Sequence, residues 1–434
     1  MKRIFVAIFS VFMAFGAARA DCASNEFAVD DECVESKFQI TTTEMDADTT
    51  FKFALGAKGT FYVDWGDGTV EKIERTDVNS TSYSHTYSAA SAIDGWRISF
   101  GGRATLYHRN YNVPSISFQD NKYVKRISGM LGTLFPTINP DDVFSGQPKF
   151  FYTFSGCSNL TGILYSELFH GDIYGRPARG MFWKTFQGCN KLTGAIPGDM
   201  FANLYGAPVD NMFYGTFQGC GGLTGTIPKN LFAGISGAPA SNMYRELFYG
   251  CKNLTGTIPS RLFGNLVGPA QGWMFLRTFS GCSKIVGYIP PALFNGITGT
   301  STSMFSQTFN GSGIYTECPC GTHQYITGFE SDWDGRVSCE VGTKDNEHWN
   351  DGVCTTDCTA GVSALKTSTG LSYPLLTDAT APQNIHIKVN NKICTVPLEN
   401  GAANNAINMR WNGNTYHATV PDEIVPAGFT GQPE

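Results

Sequence analysis

One template is written several times over in the middle of this chain. It restarts at Lys149, Met181, Met212, Met243 and Met274 and breaks off after Met304. Its single cysteines, Cys157, Cys189, Cys220, Cys251 and Cys282, are spaced 32, 31, 31 and 31 residues apart. A self-similar period of roughly 20 to 50 residues is too short to enclose a core of its own, so each unit has to cover its neighbour's. In the third copy, Met212, Phe213, Thr216, Phe217 and Cys220 fall at i, i+1, i+4, i+5 and i+8. That spacing predicts one face of a short helix, ended by Gly221-Gly222. Leu223 to Ile227 alternates and is stopped by Pro228, which predicts a single strand rung. Pro228 then suits the first turn of a second short helical piece with Leu231, Phe232 and Ile235 inward. Ser236–Asn242 is turn chemistry that closes the coil. The expectation is a stack with a phenylalanine spine and a buried column of thiols, each cysteine acting as a small hydrophobe.

The ends depart from the template as caps should. In the sixth copy Ser312 stands where the column cysteine is due. Upstream, Val124–Met130 and Asp142–Gly146 read as a degenerate first coil. A terminal unit must present a polar face, or the stack would continue between molecules.

The first residues speak to compartment. Lys2 and Arg3 precede an apolar run from Ile4 to Gly16 and then Ala18-Arg19-Ala20. This is the layout of a secretory signal peptide, and the run falls short of the ~20 residues a membrane-spanning helix needs. An exported, disulfide-permissive setting follows. Eight cysteines lie outside the repeats: Cys22, Cys33, Cys318, Cys320, Cys339, Cys354, Cys358 and Cys394. Cys22 with Cys33 reads as a local staple, and the other six as three bridges of open pairing. Cys318-Pro-Cys320 with His323 has the alternative reading of a zinc site, against which its spacing speaks. The formal net charge of −6, without any basic block in the sequence, argues against nucleic acid as a partner.

The segments TFxGCxxLTGxIPxxLF resemble bacterial leucine-rich repeats of the BspA-like surface-protein class, over roughly residues 124–313. "LTGTIP" is also similar to the LxGxIP signature of plant-type leucine-rich repeats. The resemblance implies a secreted or surface-exposed adhesion or interaction protein without catalysis. A second resemblance lies at Phe61-Tyr-Val-Asp-Trp-Gly-Asp-Gly-Thr69 with Ser84-His-Thr-Tyr87. It looks like a PKD-type β-sandwich, with Gly66 and Gly68 at positive φ, Asp64 and Asp67 as turn formers and Trp96–Phe100 as a later strand. The carboxylate-pair or calcium reading of Asp64 and Asp67 lacks further acidic ligands nearby.

The expected fold class is therefore multidomain, an α/β leucine-rich-repeat-type solenoid of about five 31-residue coils between an N-terminal all-β sandwich and C-terminal disulfide-rich and β units. The expected divisions are a signal peptide at 1–20, a cysteine-stapled segment at 21–36, the PKD-like unit at 37–112, linker and cap at 113–148, repeats at 149–313, a cysteine-rich module at 314–360 and a β domain at 361–434. In the last, Ile385–Val389 with Lys392–Val396, and Ile407–Trp411 with Tyr416–Val420, predict hairpins. Glu330, Asp332, Asp334 and Gly335 mimic the start of a calcium loop, but its twelfth position is Val341.

No hydrolase, metalloprotease, nucleotide or dinucleotide motif occurs, and the seven histidines are scattered. The sequence thus predicts no enzyme, no cofactor and no metal, and no transmembrane segment. If Leu, Gly and Ile of each rung point inward, the outward residues include Thr193, Thr224, Thr226, Thr255, Thr257 and Tyr288. With Trp273 in a closing loop, these are the candidate partner-binding residues. The expected role is a secreted or cell-surface adhesin or interaction scaffold for a protein or glycan. The alternatives are an accessory carbohydrate-binding protein of a polysaccharide-degrading system, or a structural envelope protein.

Overall fold

The computed structural model describes residues 22–29, 32–290, 293–294 and 296–315, and beyond them the backbone of seven strands between Glu347 and Thr419. The signal peptide, Cys318, Cys320, Cys339 and Cys358, and the calcium-loop mimic lie outside the described residues. Among the described residues no helix is long and apolar enough to cross a membrane.

The N-terminal part is antiparallel. Strands β1 (Glu26–Val29) and β2 (Glu32–Glu35) form a hairpin, and Cys22 is bridged to Cys33. There follow β3 (Phe38–Thr42), β4 (Thr50–Leu55), β5 (Ala57–Asp64), β6 (Val70–Arg75), β7 (Thr81–Thr86), β8 (Arg97–Tyr107), β9 (Ile116–Ser117) and β10 (Val124–Gly129). A five-stranded sheet runs β10-β3-β8-β5-β6 and a three-stranded sheet β7-β4-β9. Period-two alternation sends Phe51, Phe53 and Leu55 of β4 to the interior, where Phe53 meets Phe100 of β8 edge-on at 5.2 Å. The β5–β6 connection turns because Gly66 and Gly68 adopt φ of 84° and 92°. Asp64 accepts the Gly66 N–H and Asp67 the Thr69 N–H, both at 2.9 Å.

The repeats do not form the expected α/β leucine-rich-repeat solenoid. The described chain is nearly all β, in several small sheets. Its one α-helix, α1 (Leu131–Leu134), lies before the repeats, and Ser166–Phe169 in the first repeat is a 3₁₀ turn. Where helices were expected, each unit runs as consecutive turns with a left-handed residue at every fourth position. In the third unit these are Asn211, Gly215 and Gly219, with φ of 58°, 59° and 74°, and in the fifth Trp273, Arg277 and Gly281. Backbone donors alternate accordingly. Tyr214, Thr216, Gln218 and Cys220 donate back three residues, whereas Phe213, Gly215, Phe217 and Gly219 donate to Met243, Arg245, Leu247 and Tyr249 of the following unit. The spacing i, i+1, i+4, i+5, i+8 is a period of four, and it is satisfied by neighbours instead of by i→i−4 bonds. The second predicted helix, after Pro228, is likewise a run of three-residue-back bonds from Leu231, Ala233 and Ile235.

In-register pairing puts like on like. Phe118, Phe154, Phe186, Phe217, Phe248, Phe279 and Phe309 form one column with centroids 5.5–5.9 Å apart. A second runs Phe150, Phe182, Phe213, Tyr244, Phe275 and Phe305 at 5.4–5.9 Å. A third, Phe169, Phe201, Phe232, Phe263 and Phe294, is spaced 6.0–6.2 Å and wedges against the second. Phe118 belongs to the N-terminal part. Ser115, Phe118 and Asp120 donate to Lys149, Thr153 and Ser155, so the ladder begins there, earlier than the Val124–Met130 stretch. The antiparallel sheets and the repeats share one continuous core.

Past the repeats, Asn384–Val389 pairs with Lys392–Pro397, and Asn408–Trp411 with Tyr416–Thr419, both antiparallel. Cys354 and Cys394 lie in described strands.

Candidate functional site

Each rung is positioned by the groups beneath it. The thiols of Cys157, Cys189, Cys220, Cys251 and Cys282 donate to the carbonyls of Phe118, Phe154, Phe186, Phe217 and Phe248, one unit back, at 3.0–3.2 Å. Thr185, Thr216, Thr278 and Thr308 do the same toward Phe150, Phe182, Tyr244 and Phe275 at 2.8–2.9 Å. All five cysteines are free and buried. Burial pushes the thiols of Cys157 and Cys282 up to about 12, and those of Cys189, Cys220 and Cys251 also well up. A thiol held protonated is a donor and a poor nucleophile. Ser312 turns to its own unit's Phe309 carbonyl at 2.6 Å, and the column stops.

Three residues after each cysteine, a rung begins. Leu160, Leu192, Leu223, Leu254 and Ile285 are buried, as are Leu164, Ile196, Ile227, Ile258 and Ile289 four residues on. Between them Thr193, Thr224, Thr226, Thr255 and Thr257 are exposed, together with Ile163, Ala195 and Val286. The glycine between the outward pair has positive φ in every unit, and in two units close contact excludes a side chain as well. A Cβ on Gly256 would lie 2.8 Å from the Thr226 methyl, and one on Gly194 2.7 Å from Ile163. The rungs pair in parallel, Gly162–Ile163 on Leu192–Thr193, Thr226 on Thr255, and Val286–Tyr288 on Gly313–Tyr315. Thr193 also bonds the Gly162 carbonyl at 3.3 Å. The structure therefore gathers the five threonines on one face, with the backbone of Tyr288 in the same row.

Trp273 is not gathered with them. It is 41% exposed at φ 54° in the closing turn before Met274, where its N–H bonds the Thr302 carbonyl.

Sequence reasoning missed two features. Beside the rungs stand cations: Lys191 donates to the Asn159 amide oxygen at 2.7 Å and Lys284 to that of Asn253 at 2.8 Å. On another side Trp183 stacks on Tyr214 at 5.4 Å, and Arg245 lies 4.8 Å over the same tyrosine. The signal for this column was the third residue of each template copy, reading Phe151, Trp183, Tyr214 and Arg245.

A cleft of about 310 Å³ opens where the sheets meet the first repeat, between Lys52, Ser82, Phe151 and Tyr152. No acid, histidine or cysteine lines it. In the N-terminal sheets His85 Nε2 lies 2.7 Å from Asp67, its ring 4.9 Å from Trp65 and 4.7 Å from Tyr87. Partial burial raises the Asp67 carboxyl, but the hydrogen bonds from His85 and Thr69 prevail and hold it below its usual range. The Tyr87 hydroxyl bonds the Trp65 carbonyl, so this group fastens the turn to the sheet.

Set beside known proteins, the chain matches no family model, no curated protein and no solved structure. Nothing among them identifies the BspA-like or PKD-like families that its motifs resemble.

Proposed function

We propose that this is an exported interaction protein without catalysis, acting outside the cell or at its surface, that binds a protein or glycan partner through the exposed rung face of its repeats. The observation that carries the reading is the regularity of that face. Thr193, Thr224, Thr226, Thr255 and Thr257 project outward from rungs whose flanking residues are all buried. A fixed, hydrogen-bonded scaffold presents its outward side chains at little entropic cost on binding.

The test is a glycan array and a panel of extracellular-matrix proteins, read with the full exported chain and with Thr226→Tyr/Thr257→Tyr. Tyrosine already stands at this template position in the fifth unit, as Tyr288. A retained ligand lost in the variant supports the reading; no ligand, or a ligand bound equally by the variant, refutes it. Protease shaving of intact cells should release the chain or find it in the medium, and a periplasmic pool would refute the surface placement.

A further inference from the structure

The rung face has a charge that the whole chain does not. From each column cysteine to the rung isoleucine or leucine, the five units cover 157–164, 189–196, 220–227, 251–258 and 282–289, and the N-terminal unit contributes 121–128. These six stretches hold Lys122, Lys125, Arg126, Lys191, Lys252 and Lys284 and no Asp or Glu, in a chain of net charge −6. The stretches lie side by side. Asn159 Nδ2 donates to the Lys122 carbonyl, Asn253 Nδ2 to that of Gly221, and the Thr161 N–H to that of Lys125. Lys122, Arg126, Lys191, Lys252 and Lys284 are exposed. The Lys191 and Lys284 ammonium groups bond neutral amides, and none of the six joins a salt bridge among the described residues. The template's nearest carboxylate is Asp120, at the margin before Asn121.

We infer that the rung face binds an acidic polysaccharide, its lysines meeting carboxylates of the polymer and its threonine hydroxyls the sugar hydroxyls. This deepens the interaction-scaffold reading and rests on it. Charge spacing selects the polymer. Stacked units advance by ~4.8 Å, so the cations average about one per unit along the face. Duplex DNA carries a charge every ~1.7 Å, far denser than this face can neutralise, and the remaining acidic surface would repel it. A polysaccharide charged at every sugar, or every second one, fits the sparser row. Between the cations the outward residues are uncharged, so a chain can lie across successive rungs and bond to Thr193, Thr224 and Thr255.

The test uses immobilised polygalacturonate as the acidic probe and dextran as the neutral one, with the full exported chain. Wild type should bind polygalacturonate, more weakly as salt rises, and should not bind dextran. Lys191→Glu/Lys252→Glu/Lys284→Glu should lose at least tenfold in affinity with an unchanged thermal midpoint. Lys229→Glu/Arg261→Glu, exposed beyond the rungs, should bind as wild type does. Absence of binding, equal binding of dextran, or an unaffected triple variant overturns the inference. So does tighter binding to single-stranded DNA or to vesicles of phosphatidylglycerol. If Thr226→Tyr/Thr257→Tyr abolishes binding of a protein or neutral glycan that the triple lysine variant keeps, the scaffold reading stands and the acidic-polymer inference falls alone. Should the triple variant lose its thermal midpoint, Lys191→Gln/Lys252→Gln/Lys284→Gln repeats the measurement, and full polygalacturonate binding by it is equally fatal.

Discussion

Aromatic side chains fill both the N-terminal sheets and the repeats, yet they are arranged by different rules. In the sheets the rings meet at scattered angles, as with Phe53 and Phe100 at 89° or Phe100 and Phe118 at 73°. In the repeats the rings of one column lie nearly parallel, as with Phe186 and Phe217 or Phe217 and Phe248, each pair at 4°. The sheets satisfy their backbones by antiparallel pairing, often between strands distant in sequence such as β3 with β8 and with β10, and ring angles then follow from closing two faces on each other. The repeats satisfy theirs by translation: in the turn segment every second N–H reaches the carbonyl just before its own template equivalent one unit on, as Phe213 does to Met243, so each side chain stacks on its own kind. Packing there is dictated by register, and an error in one unit is felt in both neighbours.

The largest break in that comparison should come from Phe217→Ala. Removing a fully buried phenylalanine costs about 3–5 kcal/mol, and here the void faces Phe186 and Phe248 at once. Denaturation should show that loss, and hydrogen exchange should show faster opening through the repeats on both sides of residue 217. Phe53→Ala should cost a similar amount with its exchange effects concentrated in β4, β5 and β8. Equal spreading in both variants would erase the distinction.

Much of this arrangement could be read in advance and some could not. The repeat, the buried thiol column and the outward threonines follow from period and alternation, which record which side chains face inward. The helices did not follow, because positions 212, 213, 216, 217 and 220 fit a period of 3.6 and of 4 equally well. The discriminating signal was in residues that tolerate left-handed backbone, Asn211, Gly215 and Gly219 at intervals of four. Unit five carries Trp273 and Arg277 at the same positions, so there the neighbours' hydrogen bonds impose a conformation that its sequence alone disfavours. The lysines of the rung face were hidden for another reason. Lys122 and Lys252 stand one residue after the cysteine position and Lys191 and Lys284 two after it, each position filled in only some units, so that lateral stacking is what collects them.

A second test falls on the joint between the two regions. Lys149 stands where the other units have Met, is 1% exposed, and donates to the carbonyls of His108 at 2.7 Å and Phe144 at 2.5 Å. Burial lowers its ammonium to about 8, against 10.5 when unburied, with Asp142 opposing the shift. Between those values the unfolded chain holds a proton that the folded chain has released, so stability rises with pH through pH 8 to 10.5. The gain is about 3 kcal/mol at most. Lys149→Met should remove this slope, isolated by comparing the two proteins' denaturation midpoints from pH 7 to 10.5. Parallel pH profiles would mean that the joint does not carry a buried charge.

Smaller again is Gly219→Ala. A Cβ there would sit 3.5 Å from Gly188, which is ordinary contact, so the penalty comes from φ of 74° and should be about 1–2 kcal/mol. Gly68→Ala in the sheet domain has φ of 92° with nothing within 4 Å of the new methyl, and should cost the same backbone penalty without any packing component. A markedly larger loss at 219 would show that the glycine column is also tighter than its distances imply.

The finest distinction lies in the side-chain ladder that the repeats have and the sheets lack. The Thr216 hydroxyl lies 2.9 Å from the Phe182 carbonyl of the previous unit and 3.0 Å from its own Phe213 carbonyl. Valine keeps the shape and deletes the donor. Each carbonyl keeps a backbone partner, Thr185 N–H for Phe182 and Thr216 N–H for Phe213, so neither is orphaned. Thr216→Val should therefore cost about 1 kcal/mol, the net worth of one buried hydrogen bond. Thr50 and Thr86 pair their hydroxyls across β4 and β7 at 2.8 Å in an exposed position, where water substitutes freely. Thr50→Val should then change the denaturation midpoint by less than half as much. If the two substitutions are equal, the hydroxyl ladder adds nothing to register, and the alternating backbone bonds hold the units in place unaided.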